Sequence, residues 1–325
     1  MPQPVRALLV ALALAAFAIP AAHPQVYPAR SVRLIVPYPA GGGTDFFART
    51  LAVQLSQQMG QQVVVENRPG AATIIGAEAA AKSAPDGYTL LLGDTATFAV
   101  NPGLYRKLPY DPQKDLSPIS LTGRFALLLV VNPAAIKAGS AMELIDQAKK
   151  EPGKLDYASP GAGSPHHLAM ELFKLRTGTA LAHVPYKGAG PAIQDLIGGR
   201  IPLMFLDLAA GAPQIRAGKL KALAVASESR IPALPGLPTL HESGLPGFEA
   251  WAWQALAVPA GTPGNIVAKL NAEYRNAIGA PEIRQKMIDA GIDPLQSSPE
   301  EASAYIRSET AKWAKVIRES SITVE

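Results

Sequence analysis

Residues 32–51, VRLIVPYPAGGGTDFFARTL, decide how this chain is read. Val32–Val36 is a short, mostly apolar run ending at Pro37, which reads as a buried strand. Pro37 to Asp45 reads as a glycine-rich turn. From Phe46 the pattern becomes helical, with Phe47, Leu51 and Leu55 on one face and Thr44 in the capping position. A strand that runs through Ala40, Gly41, Gly42 and Gly43 into a helix makes a cup of main-chain N–H groups. Such a cup attracts an anion, because the free N–H groups and the helix dipole point the same way. Glycine lets the loop curl and lets a ligand approach the main chain. A merely tight turn would need no ligand.

The stretch excludes two phosphate sites. Position 46 is Phe, so the Gly-x-Gly-x-x-Gly dinucleotide fingerprint fails, and no Gly-Lys-Ser/Thr ending is present. A carboxylate is then the simpler anion. Asp45 falls in the first helical turn, where the dipole stabilises a carboxylate. It would repel a nearby anion, so its expected work is to orient loop N–H groups or to accept from an amino group.

Outward from this point, apolar runs alternate with helical patterns, an α/β arrangement. Strands are expected at Val63–Val65, Tyr88–Leu92, Ala126–Val131, Leu155–Ala158, His183–Tyr186, Leu203–Leu208 and Ala222–Ala226. Helices are expected over Ala71–Ala81 and Met142–Lys149, after Ser164-Pro165 with Leu168, Leu172 and Leu175 inward, after Lys187-Gly188, after Thr262-Pro263, and after Ser298-Pro299. Asn101–Pro118 and Pro232–Pro246 read as irregular connections. Two further small-residue loops follow strands. One is Gly93-Asp94-Thr95-Ala96-Thr97, and the other runs from Ser159 through Gly161 and Gly163 to Ser164. Loops at the carboxyl ends of strands are where α/β sheets bind ligands.

The chain has 325 residues, 48% of them hydrophobic, enough for one large or two medium domains. Its formal charge is +4 with no basic stripe, so no nucleic-acid partner is expected. It has no cysteine, and its five histidines show no metal spacing. No catalytic residue, metal or cofactor is assigned. Residues 1–24 read as a secretory signal peptide, with Arg6 before a 13-residue apolar run, Ala7–Ile19, too short to span a bilayer. The mature chain is expected to be exported and soluble.

Ser159, Ser164, His166 and His167 invite a hydrolase reading, but no Gly-x-Ser-x-Gly elbow surrounds either serine. Ser164 is better explained as a helix N-cap. A secreted hydrolase using Ser164 and His167 stands as the rival class.

The segments VPYPAGGGTDFFAR (36–49), VVVENRPGA (63–71), APDGYTLLLG (84–93), KLDYASPGAGSPHHLA (154–169), HVPYKGAGPAIQDLIGG (183–199), AGKLKALAV (217–225) and PAGTP (259–263) occur in this order. Together they resemble the Bug-type extracytoplasmic solute receptors, the binding proteins of tripartite tricarboxylate transporters. The resemblance covers nearly the whole mature chain. It implies a type II periplasmic binding-protein fold, with two α/β lobes flanking a ligand cleft: 25–123 plus 232–325 as one lobe and 124–231 as the other. It implies a small organic carboxylate as ligand, whether a dicarboxylate, an amino acid or an aromatic acid. Membrane transporter subunits follow as partners, with a sensor kinase as the alternative, and the receptor is expected to be a monomer. Site residues carried by the resemblance are Ala40, Gly41, Gly42, Gly43, Thr44 and Asp45 in one jaw, and Ser159, Gly161, Gly163, Ser164 and His167 in the other. Asp94, Thr95, Tyr186 and Lys187 line the cleft. One departure stands out. Many relatives place an acidic residue directly after Met-Phe, whereas here Leu206 follows Met204-Phe205 and Asp207 comes one later. In a strand that offset turns the side chain to the other face, so Asp207 is the weakest member of the set.

Overall fold

The computed structural model describes residues 27–320 and 322; the expected signal peptide lies outside the described residues. The first elements are β1 (Val32–Val36), α1 (Gly43–Met59), β2 (Val63–Asn67), α2 (Ile74–Ala81) and β3 (Thr89–Asp94). A five-residue π-helical turn, Ala96–Val100, leads into α3 (Asn101–Leu104). Then come the long β4 (Leu116–Val131), α4 (Ala141–Lys150), β5 (Leu155–Ser159), α5 (Pro165–Thr177), β6 (Leu181–Pro185), α6 (Ala189–Ile197), β7 (Leu203–Asp207), α7 (Leu208–Arg216) and β8 (Lys221–Val225). The chain closes with β9 (Trp251–Pro259), α8 (Gly264–Gly279), α9 (Pro281–Asp289), β10 (Ile292–Pro294) and α10 (Pro299–Ser320).

The strands run in the order β2-β1-β3-β9-β4-β7-β5-β6, with β8 and β10 also paired to β4. Two parallel sets, β1 with β2 and β3, and β5 with β6 and β7, are joined through the antiparallel β4 and β9. β4 serves both sets. Its residues up to Ala126 pair with β9, and Leu127 to Val131 pair with β7 and β8. The return crossing lies between β8 and β9. The fold is therefore of the two-lobed α/β binding-protein type that the sequence predicts.

β4 is buried on both faces where it joins the sets. Leu127, Leu129 and Val131 enter one core, while Leu128 and Val130 enter another. A strand buried on both sides must be continuously apolar, which explains the run ALLLVV at 126–131. Phe47, Leu51 and Leu55 of α1 face the first core as the helical spacing predicts. α10 is pinned by Glu309, whose Oε2 accepts from the indoles of Trp253 (2.8 Å) and Trp313 (2.9 Å).

Several expectations need correction. The N-cap of α1 is Gly42 rather than Thr44. The 93–97 stretch is not a loop: β3 continues to Asp94, and Thr95 bonds both ways to the Trp253 backbone. Leu175 is 41% exposed, because the buried face of α5 runs through Leu168, Met170 and Phe173. Within 101–118 the chain forms α3 and then enters β4 at Leu116. β9, α9 and β10 were not anticipated. The Ser298–Glu301 capping box does form reciprocally, at 2.8 and 3.1 Å.

Candidate functional site

A cavity of about 340 Å³ opens where β4 changes partners. Seven chain segments converge on it. The β1–α1 loop gives Tyr38 to Thr44, and the end of β3 gives Asp94. The start of α5 gives Pro165 and His166, with Pro160 from the loop before it. The β6–α6 connection gives Lys187 to Pro191. The end of β7 gives Asp207, followed by Ala209 and Ala210, while Phe125, Ala252 and Gln254 form the floor where β4 meets β9. Most of these segments leave parallel strands at their carboxyl ends, where helix starts and free N–H groups gather.

The glycine loop is braced from behind. Asp45 is buried, and its Oδ2 accepts from Gly41 N–H and from Arg49 Nε, both at 2.9 Å, while Oδ1 accepts from Asn67 Nδ2 at 2.9 Å. Burial works to raise its pKa, but the bonds from Arg49, Gly41 and Asn67 outweigh burial and hold the carboxyl below its ordinary value. The Gly41 N–H is thus engaged. The main-chain donors left for a ligand are those of the first turn of α1, which have no intrahelical partner. Asp45 thereby ties the loop to its own helix through the Gly41 N–H.

Thr44 Oγ1 accepts from Gln254 Nε2 at 2.6 Å. Tyr38 donates to Asp94 Oδ2 at 2.6 Å, and Asp94 Oδ1 accepts from the Thr97 N–H (3.1 Å) and hydroxyl (3.0 Å). Burial pushes Asp94 above its ordinary carboxylate range despite these bonds, and burial with the neighbouring Asp94 pushes the Tyr38 phenol well up. His166 Nε2 lies 3.0 Å from Asp207 Oδ2.

Of the residues singled out from sequence, Ala40, Gly41, Gly42, Gly43, Thr44, Asp94, Lys187 and Asp207 line the cavity. The second jaw is placed differently from expectation. Ser159 is fully buried, with Oγ 2.9 Å from Gly161 O and 2.7 Å from His183 Nε2. Ser164 caps α5 by accepting from the His167 N–H, and Gly163 N–H donates to His167 Nδ1 at 3.0 Å. The His167 ring stacks on His183 at 3.9 Å, turned into the core. Burial, followed by His183 and Lys174, lowers its pKa to about 3. The neighbouring His166 takes the lining position instead, because one helical residue is a rotation of about 100°. Ser164 and His167 therefore make no nucleophile–base pair, since the hydroxyl meets the main chain and not the ring. Tyr186 points its hydroxyl to Asp195 at 2.8 Å, and Thr95 is tied to β9. Tyr38, Phe125, His166 and Gln254 were missed. The last three belong to elements whose register or existence the sequence reading did not settle.

With this geometry in place, the comparison with known proteins is direct. The sequence profile described as "Tripartite tricarboxylate transporter family receptor" matches residues 47–322. The chain belongs to this receptor family. Protein BugT of Bordetella pertussis is 42% identical over 297 residues, 91% of each chain. Among solved structures, an R. palustris protein with adipate superposes with a TM-score of 0.88 at 37% identity, over 91% of this chain and 99% of the other. MatC from Rhodopseudomonas palustris, with bound malate, gives 0.83 at 32% identity over 90% and 100%. The receptor is thus of the Bug type and shares the binding-protein fold. Among its described residues, no helix is long and apolar enough to cross a membrane and no His/Cys/Asp/Glu group could hold a metal ion.

Proposed function

We propose that the receptor captures a small organic carboxylate between two lobes in the periplasm and delivers it to the membrane subunits of a tripartite transporter. The observation that carries this reading is the cavity wall itself. The glycine-rich start of α1 and Lys187 line a partly apolar chamber of about 340 Å³, a size for a small acid. Oriented N–H dipoles in a desolvated cleft hold an anion without a reorganisation cost. The relatives solved with adipate and malate support the same class.

The lobes are taken as residues 25–123 with 232–325, and 124–231, moving about the β4 and β8–β9 crossings. The receptor acts without catalysis, as a monomer, after removal of residues 1–24. Of the site residues named from sequence, those lining the cavity contact ligand, and Asp45, Ser159, Gly161, Gly163, Ser164 and His167 hold the jaws in shape.

The test is a thermal-shift panel of organic acids and their amides on protein freed of co-purified ligand. A ligand at a hundredfold excess over its Kd stabilises the folded receptor by about 2.7 kcal/mol. A shift is expected with at least one carboxylate and none with its amide. No shift with any acid would refute the proposal.

A further inference from the structure

Two polar atoms in the cavity wall have no partner among the described residues. Gln254, 1% exposed, uses its Nε2 on Thr44 and leaves Oε1 unbonded. His166, 7% exposed, sets Nε2 against the Asp207 carboxylate and leaves Nδ1 unbonded. Both residues line the same cavity. A carboxylate only accepts, so the His166 proton sits on Nε2, and in the neutral ring Nδ1 carries a lone pair. In that tautomer both orphan atoms are acceptors. Asp94 and Asp207 add carboxylates to the same wall.

Buried polar atoms without partners are costly, and native structures rarely keep them. An acceptor-lined wall facing an anion-binding loop asks for a ligand with two kinds of group. Thr44 Oγ1 receives the Gln254 amide hydrogen, which leaves its own O–H free to donate to the acid end. Gln254 Oε1 and His166 Nδ1 then require donors from the body of the ligand.

Resting on the carboxylate reading above, we infer that Gln254 and His166 are specificity-determining residues that select acids also carrying a hydrogen-bond donor, a hydroxyl or an ammonium group. A site built to pair a substituent discriminates strongly against the analogue lacking it, because its buried polar groups are then left unpaired. The remaining wall, with Phe125, Ile193 and Ala252, is apolar and accepts the carbon chain.

The experiment is isothermal titration of the full mature receptor, freed of co-purified ligand, with succinate, malate and aspartate, with adipate, 2-hydroxyadipate and 2-aminoadipate, and with the unsubstituted acid that gives the largest thermal shift beside its 2-hydroxy and 2-amino counterparts. In at least one series a substituted acid is expected to bind at least tenfold tighter than its parent. In Gln254→Met, and in His166→Phe, that ratio is expected to fall to within about threefold. Circular dichroism confirms that each variant is folded, and the wild-type ratio stands as a test should either variant not fold. Parents that bind as tightly as their substituted forms in every series overturn this inference and leave the carboxylate reading intact. So do variants that weaken all members of a series alike. Failure of every acid in the broader thermal-shift panel overturns both.

Discussion

His166 Nε2 and Asp207 Oδ2 lie 3.0 Å apart although 41 positions separate the residues in sequence. The strand alternation of β7 brings this about. Leu203 and Phe205 face one core, Met204 and Leu206 face the other, and Asp207 continues the Leu203 face toward the start of α5. The acid is thus set against a histidine. Removing the acid leaves the ring free to rotate. Asp207→Ala is expected to weaken ligand binding by about tenfold, and Asp207→Asn, which keeps an acceptor, by less. Titration calorimetry checks both; equal loss in the two variants would argue that charge alone matters.

The three loop glycines differ in what a methyl group would meet. At Gly41 φ is +89°, so Gly41→Ala strains the backbone by about 1–2 kcal/mol. At Gly43 an added Cβ would come within 2.9 Å of the Phe125 ring on the cavity floor. At Gly42 φ is −90° and nothing lies within 4 Å. Gly41→Ala should therefore lower the melting temperature more than Gly42→Ala, and Gly43→Ala should lower affinity by displacing Phe125. Thermal melts with parallel titrations separate the two effects.

Much of this was legible in the sequence because the decisive signals are local. The strand, glycine turn and helix at 32–59 follow from the apolar run, the loss of side chains at 41–43 and the 3–4 spacing of Phe47, Leu51 and Leu55. Caps that use neighbouring residues, such as Ser164 and Ser298, were also legible. What escaped depends on distant partners. Gln254 sits on β9, whose run WAWQALAV (251–258) takes its place only by antiparallel pairing with the distant β3 and β4. His166 and His167 differ only in which direction a helix turn faces, and tertiary packing against His183 decides that. Thr44 sits where a cap is expected, yet its hydroxyl meets a residue 210 positions away.

Asp45 ties the loop to α1 and β2. Asp45→Ala removes the acceptor of a Gly41 N–H and of Asn67, and should destabilise the fold by about 2 kcal/mol, the scale of hydrogen bonds to a charged group. Its carboxyl lies below its ordinary value of 3.8 in the folded state, so this contribution is present above that pH and is lost as the pH falls through the lower folded value. Denaturant titration at neutral pH measures the cost. A variant as stable as the parent would show the tether to be idle.

The stacked His167 and His183 make the fold lose stability on acidification. Burial, with His183 and Lys174 adding to it, puts His167 at about 3, and burial puts His183 at about 4, against an ordinary 6.5. Between these limits the unfolded chain binds protons that the folded chain refuses. Stability is therefore complete above pH 6.5 and declines as the pH falls toward 4, by up to about 1.4 kcal/mol per pH unit for His167 and less for the more accessible His183. His167→Asn, which still offers Gly163 N–H an acceptor, should flatten the decline by about one proton. Melting temperatures from pH 7 to 4 check this, and parallel curves for variant and parent would contradict it.

Glu309 offers one carboxylate oxygen to two buried indoles, Trp253 of β9 and Trp313 of α10. Because β9 also carries Gln254, this contact fixes the cavity floor against the final helix. Glu309→Leu fills the space but leaves two indole N–H groups buried and unpaired, at about 1–3 kcal/mol each. The expected loss is about 2–6 kcal/mol in denaturant unfolding. Glu309→Gln keeps an acceptor oxygen and should lose less than half as much. Were both variants to lose equally, the charge rather than the hydrogen bonds would be holding α10 in place.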